Sequence, residues 1–324
     1  MEQQIRWGDI FENIGVQLHR RSGMLVRKVL WASAFGFAAV FVLSLMSQLL
    51  SFDVLYQSGM INISSLVYGL VILIVVIIIT SILMTLVKIE QVVWLNSYFE
   101  GKDLTPKESR TIAVRLFGGW IQLQFRLFYR YYLWPLAAAV ATVVSWLYIF
   151  AVSKWVRDPD AVAILSTVMF IGGLVGIVLW QRYLKLKLSF APFLFLNIYK
   201  RNASPRFWSD FFKEMRRLNE VNKDDSFRKN VMLEIGGDIA VTIEQYVISR
   251  VKIGFSTGAA ILPSVPGALA SALSNTASMA AGEIAYRVIM FGKLAGRQVM
   301  YDFAMRKLHG VGREPNEYIY SLKD

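Results

Sequence analysis

The sequence predicts an all-α, polytopic integral membrane protein with four transmembrane helices, and three observations carry that prediction. Four runs of 20 to 22 residues contain no charged side chain. At 1.5 Å of rise per residue, each run matches a hydrocarbon core about 30 Å thick. Charged residues make up 18% of the 324, where a soluble domain carries about 25%. The Lys and Arg residues between the runs alternate between abundant and scarce.

Residues 1–29 are polar and amphipathic and have no secretory leader pattern. The first run, 30–50, reads LWASAFGFAAVFVLSLMSQLL. The second, 66–87, is apolar on every side and too long for a strand. It extends to Glu100-Gly101, where Gly is a natural helix stop. Thr105-Pro106-Lys107-Glu108 then predicts a new start: Thr105 as N-cap, Pro106 at the first position, and Glu108 completing a capping box. In the helix that follows, about 106–131, Arg115, Gln122, Arg126 and Arg130 form one stripe at steps of three and four. Trp120 and other aromatics fall away from that stripe. The pattern suits an interfacial helix, with arginines toward phosphates and aromatics toward acyl chains, or a helix packed on the ends of the spans.

The third run is 133–152, with Pro135 placed where a first turn would not need its N–H. The fourth, 161–180, carries Gly172 and Gly176 at the spacing that lets two membrane helices approach closely. Residues 188–199, LSFAPFLFLNIY, are too short to cross and predict an interfacial or re-entrant segment. A helix from Ser204-Pro205 puts Phe207, Trp208, Phe211 and Phe212 on one face. Trp120, Trp208, Phe211, Phe212, Arg115, Arg126 and Arg130 are therefore the candidate membrane-interface residues. From Phe227 the chain reads helical, with Gly236-Gly237 as a candidate bend. Glu234, Asp238 and Glu244 argue against bilayer depth for this stretch.

Residues 253–282, IGFSTGAAILPSVPGALASALSNTASMAAG, contain no charge and are rich in Gly, Ala and Ser. Pro263 and Pro266 are candidate hinges that divide them into two half-segments. A re-entrant hairpin, a pair of crossings and a cytoplasmic helical fold all fit. A single crossing does not, because it would export the basic tail. A helix then runs to about Leu308. The chain divides into an amphipathic N-terminus (1–29), a four-span domain (30–200) and a helical C-terminal region (201–324).

Counting Lys and Arg before, between and after the runs gives 5, 0, 7, 2 and then 12 up to Lys229. This alternation predicts both termini in the cytoplasm, at a cytoplasmic (inner) membrane. The formal net charge of +12 then belongs to cytoplasmic loops and not to a nucleic-acid surface. The chain has no Cys and two His, which excludes disulfides, thiolate catalysis and Cys-ligated metals. No phosphate-binding loop, nucleophile elbow or zinc-binding motif occurs, so catalytic, cofactor and metal residues are all expected to be none.

The sequence is therefore read as a non-enzymatic subunit of a larger membrane assembly of the secretion, translocation or envelope type. Its expected partners are anionic headgroups and other protein subunits, including copies of itself. The alternatives are a channel or transporter with a path lined by the segment around Pro263 and Pro266, and a lipid-handling membrane protein.

Overall fold

A computed structural model describes residues 5–49, 63–102, 104–153, 159–199, 205–221, 225–259, 264–309 and 316–322. They are helical almost throughout, with no strand among them. The helices are α1 (Trp7–Leu49), α2 (Ile63–Phe99), α3 (Pro106–Leu127), α4 (Leu133–Ser153), α5 (Pro159–Lys187), α6 (Ala191–Ile198), α7 (Pro205–Val221), α8 (Asp225–Ala259), α9 (Ser264–His309) and α10 (Glu317–Ser321). Four stretches are long and apolar enough to cross a membrane, within Trp7–Leu45, Val67–Phe99, Pro106–Val152 and Asp160–Ile198.

The predicted punctuation between α2 and α3 is present. Gly101 has φ +67°, the left-handed conformation that ends a helix. The Thr105 side chain accepts from the Glu108 backbone N–H, and Glu108 returns a bond to the Thr105 N–H at 2.8 Å.

One expectation needs correction here. The helix starting at Pro106 does not stop before the third apolar run. It continues into α4 through a π-helical turn, Phe128–Tyr132, in which the Leu133 N–H donates to the Phe128 carbonyl. Pro135 is therefore a helix-interior proline. It offers no N–H and its ring crowds the carbonyl one turn back, and the widened turn lies just where that disturbance falls.

Large side chains separate the molecule into two zones. The polar ends of the long helices meet in a packed core: Ile10 and Leu25 from α1, Val92 and Leu95 from α2, Leu116 and Trp120 from α3, Phe291 and Tyr301 from α9. The apolar stretches contribute little to it. Their Leu, Ile and Val side chains are mostly exposed, as along Val67–Ile82 and Ile164–Trp180. In water such a surface would be prohibitive, whereas lipid leaves it at no cost.

The short apolar segment 188–199 is not at a surface. Phe193, Leu194, Phe195 and Leu196 of α6 are fully buried in the core. Its apolarity around the whole circumference is what a helix enclosed on all sides needs. The helix α8 runs unbroken through Gly236-Gly237. A side chain at Gly237 would collide with the stem of Lys293, so the glycine is there to let α9 approach.

Candidate functional site

Two polar features distinguish the α8–α9 pair. The first is a half-buried ion cluster where α8, α9 and the end of α5 meet. Glu234 accepts from Lys293 at 2.8 Å and from Arg297 in a closer contact. Asp238 pairs with Arg182 and lies 3.5 Å from Lys293. Arg297 also donates to Asn230, whose amide donates to Ser189 at 2.8 Å. Lys293 is 4% exposed, so its charge depends on these carboxylates. Burial alone would raise the Glu234 carboxyl. The hydrogen bond from Lys293 and the charges of Arg297, Lys293 and Lys185 outweigh that, and hold it below the usual value.

The second feature is an open groove of about 690 Å³ between α1, α8 and α9. Its α1 wall is Val40, Leu43 and Ser44, all from the first apolar run. Its other walls bring Glu244, Gln245, Ser249 and Lys252 from α8, and Asn275 and Ser278 from α9. The Asn275 amide donates to Ser44 Oγ at 2.7 Å. Gly282 makes room for α8: a Cβ there would stand 3.3 Å from Glu244 Oε1. Gln245, Ser249 and Lys252 are exposed, and Glu244 is half-buried. On the outer face of α8, Ile239, Ile243, Tyr246 and Val247 are exposed as well.

The predicted residues fall as follows. Trp120, Trp208 and Phe211 are 1%, 3% and 0% exposed. They pack inside the protein, where acyl chains do not reach, which corrects their assignment to the membrane interface. The reason is that α3 and α7 turn their aromatic faces toward α6; Trp120 and Trp208 both contact the Phe195 ring. Arg115, Arg126 and Arg130 remain exposed. Arg126 stacks over Trp208 at 5.1 Å, and Arg130 over the half-buried Phe212 at 4.4 Å.

Gly172 and Gly176 make no close approach to any described residue; none of these lies within 4 Å of a Cβ built on either. The glycine at the α4–α5 contact is Gly173, where an added Cβ would stand 2.8 Å from Thr142 Cγ2. Pro263 lies outside the described residues. Pro266 is exposed in the first turn of α9, which a proline tolerates. Among the described residues, no group of three His, Asp or Glu converges as a metal would require.

Sequence reasoning did not single out the groove residues Gln245, Ser249, Lys252 and Asn275. The available signal was the spacing of Glu244, Ile248 and Lys252 at intervals of four, which puts a mixed polar face on one side of α8. The chain matches no known protein-family model, no curated protein sequence and no solved structure.

Proposed function

We propose that the chain is a non-enzymatic integral membrane subunit of a larger assembly, and that the groove between α1, α8 and α9 is the surface a neighbouring subunit covers. The observation that carries this is the open polar flank of α8 beside the first apolar run. Asp238 pairs with Arg182, two residues past the fourth run. Glu244 follows six residues later, about 9 Å further along the helix, and Lys252 about 21 Å further. With Arg182 at the headgroups, Gln245, Ser249 and Lys252 stand at hydrocarbon depth. Polar groups there are tolerated only against protein or water.

In this reading α8 and α9 form the hairpin that carries 253–282 into the bilayer beside the first span. Its basic tail stays on the cytoplasmic side of the inner membrane, with the N-terminus, as the Lys and Arg distribution favours. A second copy of this chain is the simplest cover, because most soluble oligomers are homo-oligomers and the same economy applies here.

The chain has no cysteine, so Gln245→Cys and Ile239→Cys each carry one label. In native membranes Gln245→Cys, derivatised with a short photo-cross-linker, yields an adduct one subunit larger, and Ile239→Cys on the outer apolar face yields far less. Equal cross-linking at both positions, or none at Gln245 with a monomeric size in mild detergent, refutes the assembly. One observation favours a channel or transporter as the second reading: Glu244, Lys252 and Asn275 would line an aqueous path once the groove is covered. Solute flux in liposomes that Glu244→Gln leaves unchanged counts against that path.

A further inference from the structure

A separate cavity of about 610 Å³ lies between α1, α2 and α3, on the side of the core where the first two apolar runs begin and end. Its lining is divided by chemistry. At one end stand Arg27, Lys28 and Arg110; at the other, Trp31, Phe35, Leu83 and Leu86. Glu90 is the one carboxylate among the lining residues, and it is already engaged. Lys28 pairs with it, and Ser109 Oγ donates to it at 2.9 Å. Lys28 in turn sits over the Trp94 ring at 4.4 Å. Three cations therefore face one satisfied carboxylate. Arg27 and Arg110 are exposed and form no ion pair with any described residue, so the cavity carries an uncompensated positive charge.

The apolar end is just as unbalanced. Trp31 and Phe35 are 72% and 59% exposed beside the half-buried Leu83 and Leu86. Arg27 and Trp31 are one helical turn apart, so the positive end and the apolar end abut along α1. A ligand that satisfies both ends has an anionic group joined to long hydrocarbon. A free phosphate answers only the first end, and a neutral lipid only the second.

We propose that this cavity binds one anionic phospholipid. Its phosphate lies among Arg27, Lys28 and Arg110, and its acyl chains run along Trp31, Phe35, Leu83 and Leu86. The site rests on the membrane reading of the four apolar stretches and is independent of the assembly at the α8 groove. Each basic side chain at a headgroup contributes roughly a fivefold factor in affinity. Removing Arg27 and Arg110 together should then weaken binding by about 25-fold. Both residues are surface-exposed, so the change leaves the packed core alone.

The test uses the full chain, delipidated in neutral detergent, and counts retained lipid by native mass spectrometry. Phosphatidylglycerol and phosphatidylcholine of identical acyl chains are offered in turn, with glycerol phosphate as the chain-free competitor. The expected result is selective retention of phosphatidylglycerol, lost in the double variant Arg27→Gln/Arg110→Gln and kept in Arg115→Gln. Trp31→Ala weakens phosphatidylglycerol binding while leaving glycerol phosphate binding unchanged. Equal retention of the two lipids, or unaltered retention in the double variant, overturns the proposal. Displacement of the lipid by equimolar glycerol phosphate also overturns it, in favour of a soluble phosphate ligand. Extraction of the wild-type chain from membranes by alkaline carbonate, read separately, would sink the membrane reading itself.

Discussion

Glu234→Ala is the sharpest test of how α8 and α9 are joined. The substitution removes the carboxylate that Lys293 and Arg297 share. Lys293 is 4% exposed and Arg297 13%, so neither can turn to water without opening the α8–α9 contact. Asp238 lies 3.5 Å from Lys293 but is already held by Arg182, and it offers Arg297 nothing. Removing one partner of a buried ion pair costs about 3–5 kcal/mol, most of it the charge left behind. At roughly 2 °C per kcal/mol for a chain of this size, the melting temperature should fall by about 6–10 °C. The assay is thermal unfolding in mild detergent, followed by tryptophan fluorescence. Glu234→Ala/Lys293→Met should recover part of the loss, since it removes one of the stranded cations. A melting temperature within about 2 °C of wild type refutes the claim that Glu234 holds two buried cations in place.

The same carboxylate predicts a pH dependence. Its folded-state pKa lies below the ordinary value of 4.5. The folded state therefore binds this proton less readily than the unfolded chain does. The stabilisation is present in full above the unfolded value and is lost as pH falls through the folded one. The gap in melting temperature between wild type and Glu234→Gln should stay constant from neutral pH down to about 5 and shrink further down. A gap that begins closing near neutrality would assign the effect to another group.

Two further outcomes follow from local geometry, each read by the same thermal assay. Thr105→Ala removes one half of the capping box at the start of α3 and should cost about 0.5–2 kcal/mol. Thr105→Ser, which keeps the acceptor oxygen, should cost much less. Gly173→Leu should destabilise by about 1–3 kcal/mol, because α4 leaves no room beside Thr142. Gly172→Leu meets open space and should be neutral or better; the reverse order would move the α4–α5 contact to the other face.

The parts of this fold that the sequence made legible were those set by local chemistry. Four apolar runs gave four apolar helices, and Thr105, Pro106 and Glu108 marked the start of α3 because a capping box involves only neighbours in the chain. Ion pairs between residues four apart, Glu283–Arg287 and Asp302–Arg306, form at 2.7 and 2.8 Å and depend in the same way only on neighbours along one helix. What could not be read was which surface an amphipathic face would meet. Trp120, Trp208 and Phe211 satisfy the pattern for acyl chains and for a protein core equally, since both are apolar. The choice was made by α6, a short helix apolar on every side whose only sensible place is between them. Pro135 was misplaced for a related reason: whether it opens a helix or lies inside one depends on continuity through Phe128–Tyr132, and which of Gly172, Gly173 and Gly176 meets α4 depends on rotation about the α5 axis, neither of which local spacing sets.

The described part of the uncharged segment that lies in α9, residues 266–282, is legible in terms of what surrounds it. A helix that faced only lipid would do best with Leu, Ile and Phe, as α2 does. One that packs between α1 and α8 needs small side chains, and Ala268 and Ala272 of α9 are accordingly buried, while Gly282 admits Glu244. Small residues thus account for the side of α9 that faces α1 and α8. They do not account for Gln245, Ser249 and Lys252 on the exposed flank of α8, which hydrocarbon would penalise in the proposed placement. In that placement a monomer would gain stability if these three were leucine. In the proposed placement the flank must meet protein or water, and the groove is therefore the surface on which cross-linking to a partner is to be tested.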